Sequence, residues 1–280
     1  MHRTERTRKL VESALMIAIG TVLSIIPIVE MPYGGSVTVA SMLPVLLIAY
    51  RHGLGWGLGA GLTYAVLQQL LGLKNLTYFT TWQSVVAIIV LDYLVAFAVI
   101  GLGGLFRNSV KRQNLSLALG GLLACLLRYV CHVISGATVW AGLSIPTEAA
   151  LLYSIGYNAT YMIPETVVLV LVAYYLGSVL DFRRELPTRL ARGSAATGYA
   201  DLTAAIAGLT AIVAVAVDVS LVFANLQHPE SGEFDVTLLQ VEQFVGSFWM
   251  KASIVTLVAA AIIVTLLLLR RRMLAESQDQ

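Results

Sequence analysis

Residues 128 to 140 read RYVCHVISGATVW and place an arginine, a histidine and a tryptophan inside an apolar run that begins at Leu115. Arg128 and His132 are one helical turn apart, and Trp140 follows two turns further on. Asp92 and Tyr93 sit in a second apolar run, and Tyr153, Tyr157, Asn158 and Glu165 in a third. A carboxylate, an imidazole, an amide and several aromatic rings make a set for binding. Aromatic faces attract cations by about 0.5–2 kcal/mol, and a carboxylate adds Coulomb attraction where water is excluded. The set suits a small, flat, cationic ligand with ring nitrogens, and an inorganic anion would want the opposite arrangement.

The elements that must position these groups follow from composition. Of 280 residues 58% are hydrophobic and 12% charged, well above the roughly half apolar content of a soluble domain. Apolar stretches near 10–29, 37–50, 54–73, 82–105, 115–139, 149–180, 201–225 and 247–269 approach the ~20 residues of a membrane-crossing helix. The second is short and contains Pro44, so it is broken or tilted. The runs are continuous rather than alternating, which excludes a β-barrel. The expectation is an all-α polytopic membrane protein of eight candidate helices in a lipid bilayer.

Short cytoplasmic loops concentrate Lys and Arg. With the N-terminus inside, one side collects Arg3, Arg6, Arg8, Lys9, Arg51, Arg107, Lys111, Arg112, Arg183, Arg184, Arg189, Arg192 and Arg270 to Arg272, against Lys74 outside and Lys251 at the start of the last helix. HPESGEFD, between the last two helices, is acidic and falls outside. Both termini are expected in the cytoplasm, and the first helix is an uncleaved span because no small-residue cleavage site follows it. The net charge of +2 reflects this topology and gives no argument for nucleic acid. Cys125 and Cys131 fall on different helical faces with no histidine at zinc-ligand spacing; no metal is expected.

On this topology Arg128 lies near mid-membrane and His132 in the outer half, because the fifth helix rises ~1.5 Å per residue. The fourth and sixth helices run inward and bring Asp92, Tyr93, Tyr153 and Asn158 to similar outer depths. Trp140 and the loop MPYGGS lie above them. A cavity open to the outside follows. Arg128 and Glu165 fall at comparable depth on consecutive helices, and since intramembrane charges usually pair they are expected to form a structural ion pair on its floor. The plainer alternatives are that His132 is a packing residue, that Trp140 and Tyr153 are interfacial anchors, and that Asp92 pairs with Arg128 or with a hydroxyl.

Two small-residue patterns lie on early helices. Ala14 and Ala18 form A-x-x-x-A in the first, and Gly53, Gly57 and Gly61 repeat in the third; such stripes let another helix approach closely, within the chain or from a partner. No phosphate-binding G-x-x-x-x-G-K-[ST], H-E-x-x-H or G-x-S-x-G occurs. The chain is therefore expected not to be an enzyme, and any ATP hydrolysis belongs to other chains.

GGSVTVASMLPVLLIAYRHG at 34–53, LDYLVAF at 91–97, RYVCHVISGATVW at 128–140 and YSIGYNATYMIPE at 153–165 together resemble the thiamine-specific substrate-binding subunits (S components) of energy-coupling factor transporters. The likeness runs over about residues 8–182. It implies a six-helix core, residues 1–182, that captures thiamine from outside the cell membrane with high affinity and uses no cofactor. It also implies partners: a transmembrane coupling subunit, contacted through Ala14 and Ala18, and two ABC ATPase subunits. The ligand-binding set implied is Asp92, Tyr93, His132, Trp140, Tyr153 and Asn158. An aromatic contribution from the first loop falls to Tyr33, with Trp82 as substitute or supplement. MPYGGS corresponds to a gating loop over the pocket.

The departure is the C-terminal part. A basic linker over 183–200 leads to a two-helix membrane extension over 201–280 that has no counterpart in the six-helix family. Two other readings share the residues: capture of a thiamine precursor or another ring-containing vitamin, and a stand-alone secondary transporter. Inverted repeats would mark the latter, and none is evident between the chain halves.

Overall fold

The computed structural model describes residues 2–31, 34–141, 150–190, 195–226 and 248–276. Tyr33, the acidic stretch at 228–235 and residues 191–194 of the basic linker lie outside the described residues. The chain divides into two compact units, Met1–Gly177 and Ser178–Gln280.

The first unit begins with α1 (His2–Ile25), followed by a short antiparallel hairpin of β1 (Pro27–Glu30) and β2 (Ser36–Thr38). Then come α2 (Leu43–His52), α3 (Leu54–Leu71), a 3₁₀ segment Leu73–Tyr78, and α4 (Trp82–Arg107). The unit is completed by α5 (Gln113–Thr138) and α6 (Ala150–Val179), the last of which ends at the border with the second unit. Each apolar run expected from sequence carries a helix, and the fold is mostly helical. Among the described residues four helices are long and apolar enough to cross a membrane: Trp82–Arg107, Gln113–Thr138, Ala150–Val179 and Phe248–Ala275.

The second expected span is the one that departs most. Its helix, α2, holds 10 residues and so rises about 15 Å, half of a ~30 Å hydrocarbon core. Residues Leu43 to Tyr50 are all buried, because α2 packs against α1, α3, α4 and α5. Pro44 sits in its first turn, where the missing N–H has no helical partner to lose. At its other end Gly53 takes φ +91°, a conformation side chains oppose, and reverses the chain directly into α3. A short helix threaded through the middle of the unit thus replaces a lipid-facing span.

Glycines set how closely α3, α4 and α5 approach. A Cβ at Gly57 would meet Ala49 Cβ at 2.5 Å, one at Gly61 would meet the Ala98 carbonyl at 2.8 Å, and Gly103 and Gly120 face each other backbone to backbone. The glycine repeat of the third helix therefore packs within the chain. Ala14 and Ala18 do the opposite and are exposed on α1. Leu62, Val66, Leu122, Leu126, Ile134 and Ile163 are also exposed, as expected of a surface that faces lipid rather than water.

Helix α4 changes its winding where the chemistry lies. It starts from Thr81, whose hydroxyl accepts from the Ser84 N–H at 3.4 Å. It widens into a π-helical stretch over Ile89–Val95 and tightens to 3₁₀ over Val99–Arg107. Asp92 and Tyr93 stand within the widened turns, a feature common at functional sites.

The second unit contains a small β pair, Leu180–Asp181 with Thr188–Arg189, then α7 (Ala195–Leu226) and α8 (Phe248–Glu276). The two helices pack lengthwise. Ala200, Ala207 and Ala214 on α7 and Ala252 and Ala259 on α8 are buried at seven-residue intervals, giving a seam of small residues that lets the helices lie close. Thr256 Oγ1 donates to Asp218 Oδ2 at 2.6 Å across it.

Candidate functional site

A cavity of about 410 Å³ opens in the first unit. The hairpin loop, the end of α3, the π-helical part of α4, α5 and α6 all contribute to its lining. Asp92 is its hub. Its Oδ1 lies 2.9 Å from His132 Nδ1, and its Oδ2 accepts from Ser135 Oγ at 2.7 Å and from Trp140 Nε1 at 3.0 Å. Three groups from α5 and the residues just after its C-terminal end thus converge on one carboxylate of α4. Such charge-assisted bonds are roughly twice as strong as neutral ones.

The neighbours of His132 assign its tautomer. Arg128 Nη2 lies 3.4 Å from His132 Nε2, and a guanidinium has no acceptor. Nε2 therefore presents its lone pair, and Nδ1 carries the proton that is donated to Asp92. A chain Asp92–His132–Arg128 results, with a carboxylate at one end and a cation at the other.

Arg128 was expected to pair with Glu165, and the structure corrects this. Glu165 Oε2 accepts from the Thr38 backbone N–H at 2.6 Å and Oε1 from the Thr38 hydroxyl at 2.7 Å. The hydroxyl of Ser41 lies 2.8 Å from that of Thr38. Glu165 is thus satisfied by the end of β2. Arg128 instead lies over the Phe97 ring at 4.2 Å and places Nη1 2.8 Å from the Met42 sulfur. Both residues line the cavity. The physical reason is local: the chain entering α2 brings an N–H and a hydroxyl to Glu165, while the imidazole one turn away claims one arm of Arg128.

The other expected residues separate. Tyr93 lines the cavity with its hydroxyl held by Asn75 Nδ2 at 2.9 Å and its ring stacked on Phe97 at 6.4 Å. Asn158 also lines it, yet its amide is occupied: Nδ2 donates to the Ser154 carbonyl at 2.9 Å and the His132 carbonyl at 3.3 Å, and Oδ1 accepts from Tyr161 at 2.5 Å. Tyr153 is set back from the cavity and packs against the cluster of Phe79, Ile88, Tyr93 and Trp140. Trp82 is 71% exposed at the start of α4, away from the lining. Tyr33 lies outside the described residues.

Sequence reasoning missed the framework around Trp140 and the loop. Trp140 is buried, with Phe79 edge-on at 4.8 Å and Tyr78 at 5.8 Å. Tyr157 donates to the Gly34 carbonyl at 3.0 Å. Gly35 has φ +90°, and a Cβ there would meet the Tyr161 ring at 2.7 Å. The Y-x-x-x-Y spacing of Tyr157 and Tyr161 was the available signal, since it puts both rings on one face of α6. At the rim Lys74 meets Glu30 at 2.8 Å; the hydrogen bond the ammonium donates to Glu30, then the carboxylate's charge, raises its pKa above the ordinary value. Among the described residues no group of three His, Cys, Asp or Glu side chains is placed to hold a metal ion.

Chemically, the arrangement presents a partly buried carboxylate, an indole and three tyrosine rings around one space. That combination suits a flat cationic molecule.

Comparison with known proteins gives a consistent picture. The family model described as thiamine transporter protein matches residues 10–181. The thiamine transporter ThiT of Bacillus subtilis is 35% identical over 183 residues, which cover 61% of this chain and 91% of that protein. A solved structure of ThiT from Listeria monocytogenes matches with a TM-score of 0.51 at 24% identity, over 62% of this chain and 94% of the other, and carries the fold. The matched stretch contains the whole Asp92 cluster and stops short of the α7–α8 hairpin, and by it this chain belongs to the thiamine transporter protein family.

Proposed function

We propose that this chain captures thiamine at the outer face of the cell membrane and delivers it inward as the substrate-binding subunit of an ATP-driven energy-coupling factor transporter. The observation that carries the reading is the convergence of Trp140, His132 and Ser135 on Asp92 within the cavity of a chain of this family. Thiamine joins an aminopyrimidine to a cationic thiazolium. The cation is attracted by the Asp92 carboxylate and the aromatic faces of Trp140 and Tyr93, and the ring nitrogens and amino group find polar partners at Asp92 and His132. Asn158, its amide occupied, positions the His132 backbone and Tyr161. Tyr153 supports Trp140 from behind.

Delivery calls for partners. The exposed Ala14 and Ala18 give α1 a flat, apolar stripe for a transmembrane coupling subunit, and two ABC ATPase subunits supply the energy. Both termini lie in the cytoplasm on this reading, which puts the basic residues inside and the cavity mouth outside.

A titration of the detergent-purified chain with thiamine, followed by tryptophan fluorescence and calorimetry, tests capture. Saturable submicromolar binding near one to one is expected. Tighter binding of the isolated pyrimidine half or of riboflavin would overturn the ligand assignment. Uptake into vesicles by this chain alone, driven by an ion gradient without ATPases, would overturn the coupled mechanism.

A further inference from the structure

The α7–α8 hairpin lies outside the stretch shared with the thiamine transporters, and one end of it gathers positive charge. Residues 252–269 of α8, 18 in all, carry no charge and rise about 27 Å, close to the ~30 Å thickness of a hydrocarbon core. Arg270, Arg271 and Arg272 follow at once and stand at its boundary, and α8 has no acidic residue before Glu276. The bond between Thr256 and Asp218 sets the register of the two antiparallel helices, which brings the start of α7 beside these arginines. The β pair that leads into α7 adds the exposed Arg183, Arg184 and Arg189, of which Arg184 meets Asp181 at 3.2 Å.

Two observations turn this charge into a site. The Nε of Arg270 is buried and has no hydrogen-bond partner, whereas charges at membrane depth ordinarily pair. On the hydrocarbon side of it, Leu267, Leu268 and Leu269 of α8 and Leu202 and Ile206 of α7 are exposed. The ligand that matches both is amphiphilic, with an anion at headgroup depth and hydrocarbon along the helices. A free phosphate would meet the arginines alone, and an acidic peptide would leave the leucines uncovered. The linker repeats the pattern: in RRELPTRL, residues 183–190, Leu186 is 72% exposed between Arg184 and Arg189, the mixture of basic and apolar groups that holds a segment at a bilayer interface.

We propose that the end of the hairpin where α7 begins and α8 finishes binds an anionic phospholipid, with its phosphate on the Arg270–Arg272 cluster and its acyl chains along the exposed leucines. A guanidinium fork matches two phosphate oxygens, and each basic residue beside a membrane helix strengthens the hold on an anionic lipid by about fivefold. The bound lipid fixes the hairpin at the headgroup layer. This role is separate from vitamin capture and does not depend on it.

Native mass spectrometry of the detergent-purified full chain, titrated with equal amounts of dioleoyl phosphatidylglycerol and dioleoyl phosphatidylcholine, reads the preference directly. Wild type is expected to retain the anionic lipid by about tenfold or more over the zwitterionic one, and glycerol 3-phosphate, the same anion without chains, is expected not to compete. The combined variant Arg270→Gln, Arg271→Gln and Arg272→Gln should lose most of that preference, and Arg270→Lys, which keeps the charge and loses the fork, a part of it. The pair Lys111→Gln and Arg112→Gln removes two exposed basic residues ahead of α5 and should leave the preference within about twofold of wild type. An equal fall in that pair would reduce the effect to general surface charge and overturn the site. Equal retention of the two lipids by wild type overturns it as well, a result that needs no variant to fold. Displacement of the lipid by glycerol 3-phosphate at matched concentration would overturn the assignment to a lipid.

Discussion

The indole N–H of Trp140 donates to Asp92 Oδ2 across 48 residues of sequence at 3.0 Å. It joins the widened turn of α4 to the C-terminal end of α5. Because Ser135 bonds the same oxygen and His132 the other, one carboxylate orients three groups.

Asp92→Asn is the direct test of that hub. An amide has one acceptor oxygen and an NH₂ group, so at least one of the Ser135, His132 and Trp140 donors would face another donor. The negative charge that attracts a cation is lost as well. Thiamine affinity is expected to fall about 10- to 100-fold, the range for hydrogen bonds to charged groups, with the helical circular dichroism unchanged. Unaltered affinity in calorimetry would remove Asp92 from the site.

Trp140 has two functions that substitutions separate. Trp140→Phe keeps a ring against Phe79 and removes the N–H, whereas Trp140→Ala removes both. The expected order of thiamine affinity is wild type, then Phe, then Ala, with the Phe variant losing about 10- to 100-fold for one hydrogen bond to a charged group. Equal affinities for Phe and Ala would mean that the ring contributes nothing.

The helical fold and the polar side chains gathered by depth were legible in the sequence because both depend on local quantities: apolar run length, charge spacing and rise per residue. Asp92 and His132 share a depth with Trp140 expected just above them, and the structure brings the three together. Depth does not give helix rotation or fine register. The Arg128–Glu165 pairing failed for that reason: both residues line the cavity at matching depth, but Thr38, a residue outside any helix, reaches Glu165 first. Trp82 failed similarly, since its distance along α4 from Asp92 spans the change to π winding and its side chain faces outward. The burial of α2 was hinted at by its length and by Pro44, but what it packs against is set by glycines on three other elements, a tertiary fact that no local pattern encodes.

Helix α3 offers an internal control on those glycines. Gly57 and Gly59 are two residues apart and face opposite ways: a Cβ at Gly57 would strike Ala49 and the backbone of α4, whereas at Gly59 nothing lies within 4 Å. Gly57→Ala is expected to lower the thermal midpoint, because overpacking costs about 1–3 kcal/mol. Gly59→Ala should leave it unchanged or raise it, since alanine is favoured over glycine in helices by up to about 1 kcal/mol. Fluorescence-detected thermal unfolding in detergent reads both, and a midpoint for Gly57→Ala at or above that of Gly59→Ala would contradict the close approach of α3 to α2 and α4.

The hairpin loop is held over the cavity by one face of α6. Tyr157 donates to the Gly34 carbonyl, and Gly35 presses its backbone on the Tyr161 ring. Below, Glu165 holds the Thr38 N–H and hydroxyl. Residues Tyr157, Tyr161 and Glu165 follow at four-residue steps, so a single stripe of α6 grips the hairpin at both ends. The grips differ in strength: the lower is a buried carboxylate with two donors, the upper a neutral hydrogen bond at the edge of the loop. Loosening the upper one should let the loop open without unfolding the hairpin. Tyr157→Phe keeps the ring and deletes the hydroxyl, and one neutral hydrogen bond corresponds to about 2- to 15-fold in an opening equilibrium. Thiamine dissociation is expected to accelerate by that factor, with association rising or unchanged, while the thermal midpoint of the ligand-free protein shifts little. Stopped-flow tryptophan fluorescence resolves the two rates. A dissociation rate equal to wild type would show that the Tyr157–Gly34 bond does not restrain ligand exit.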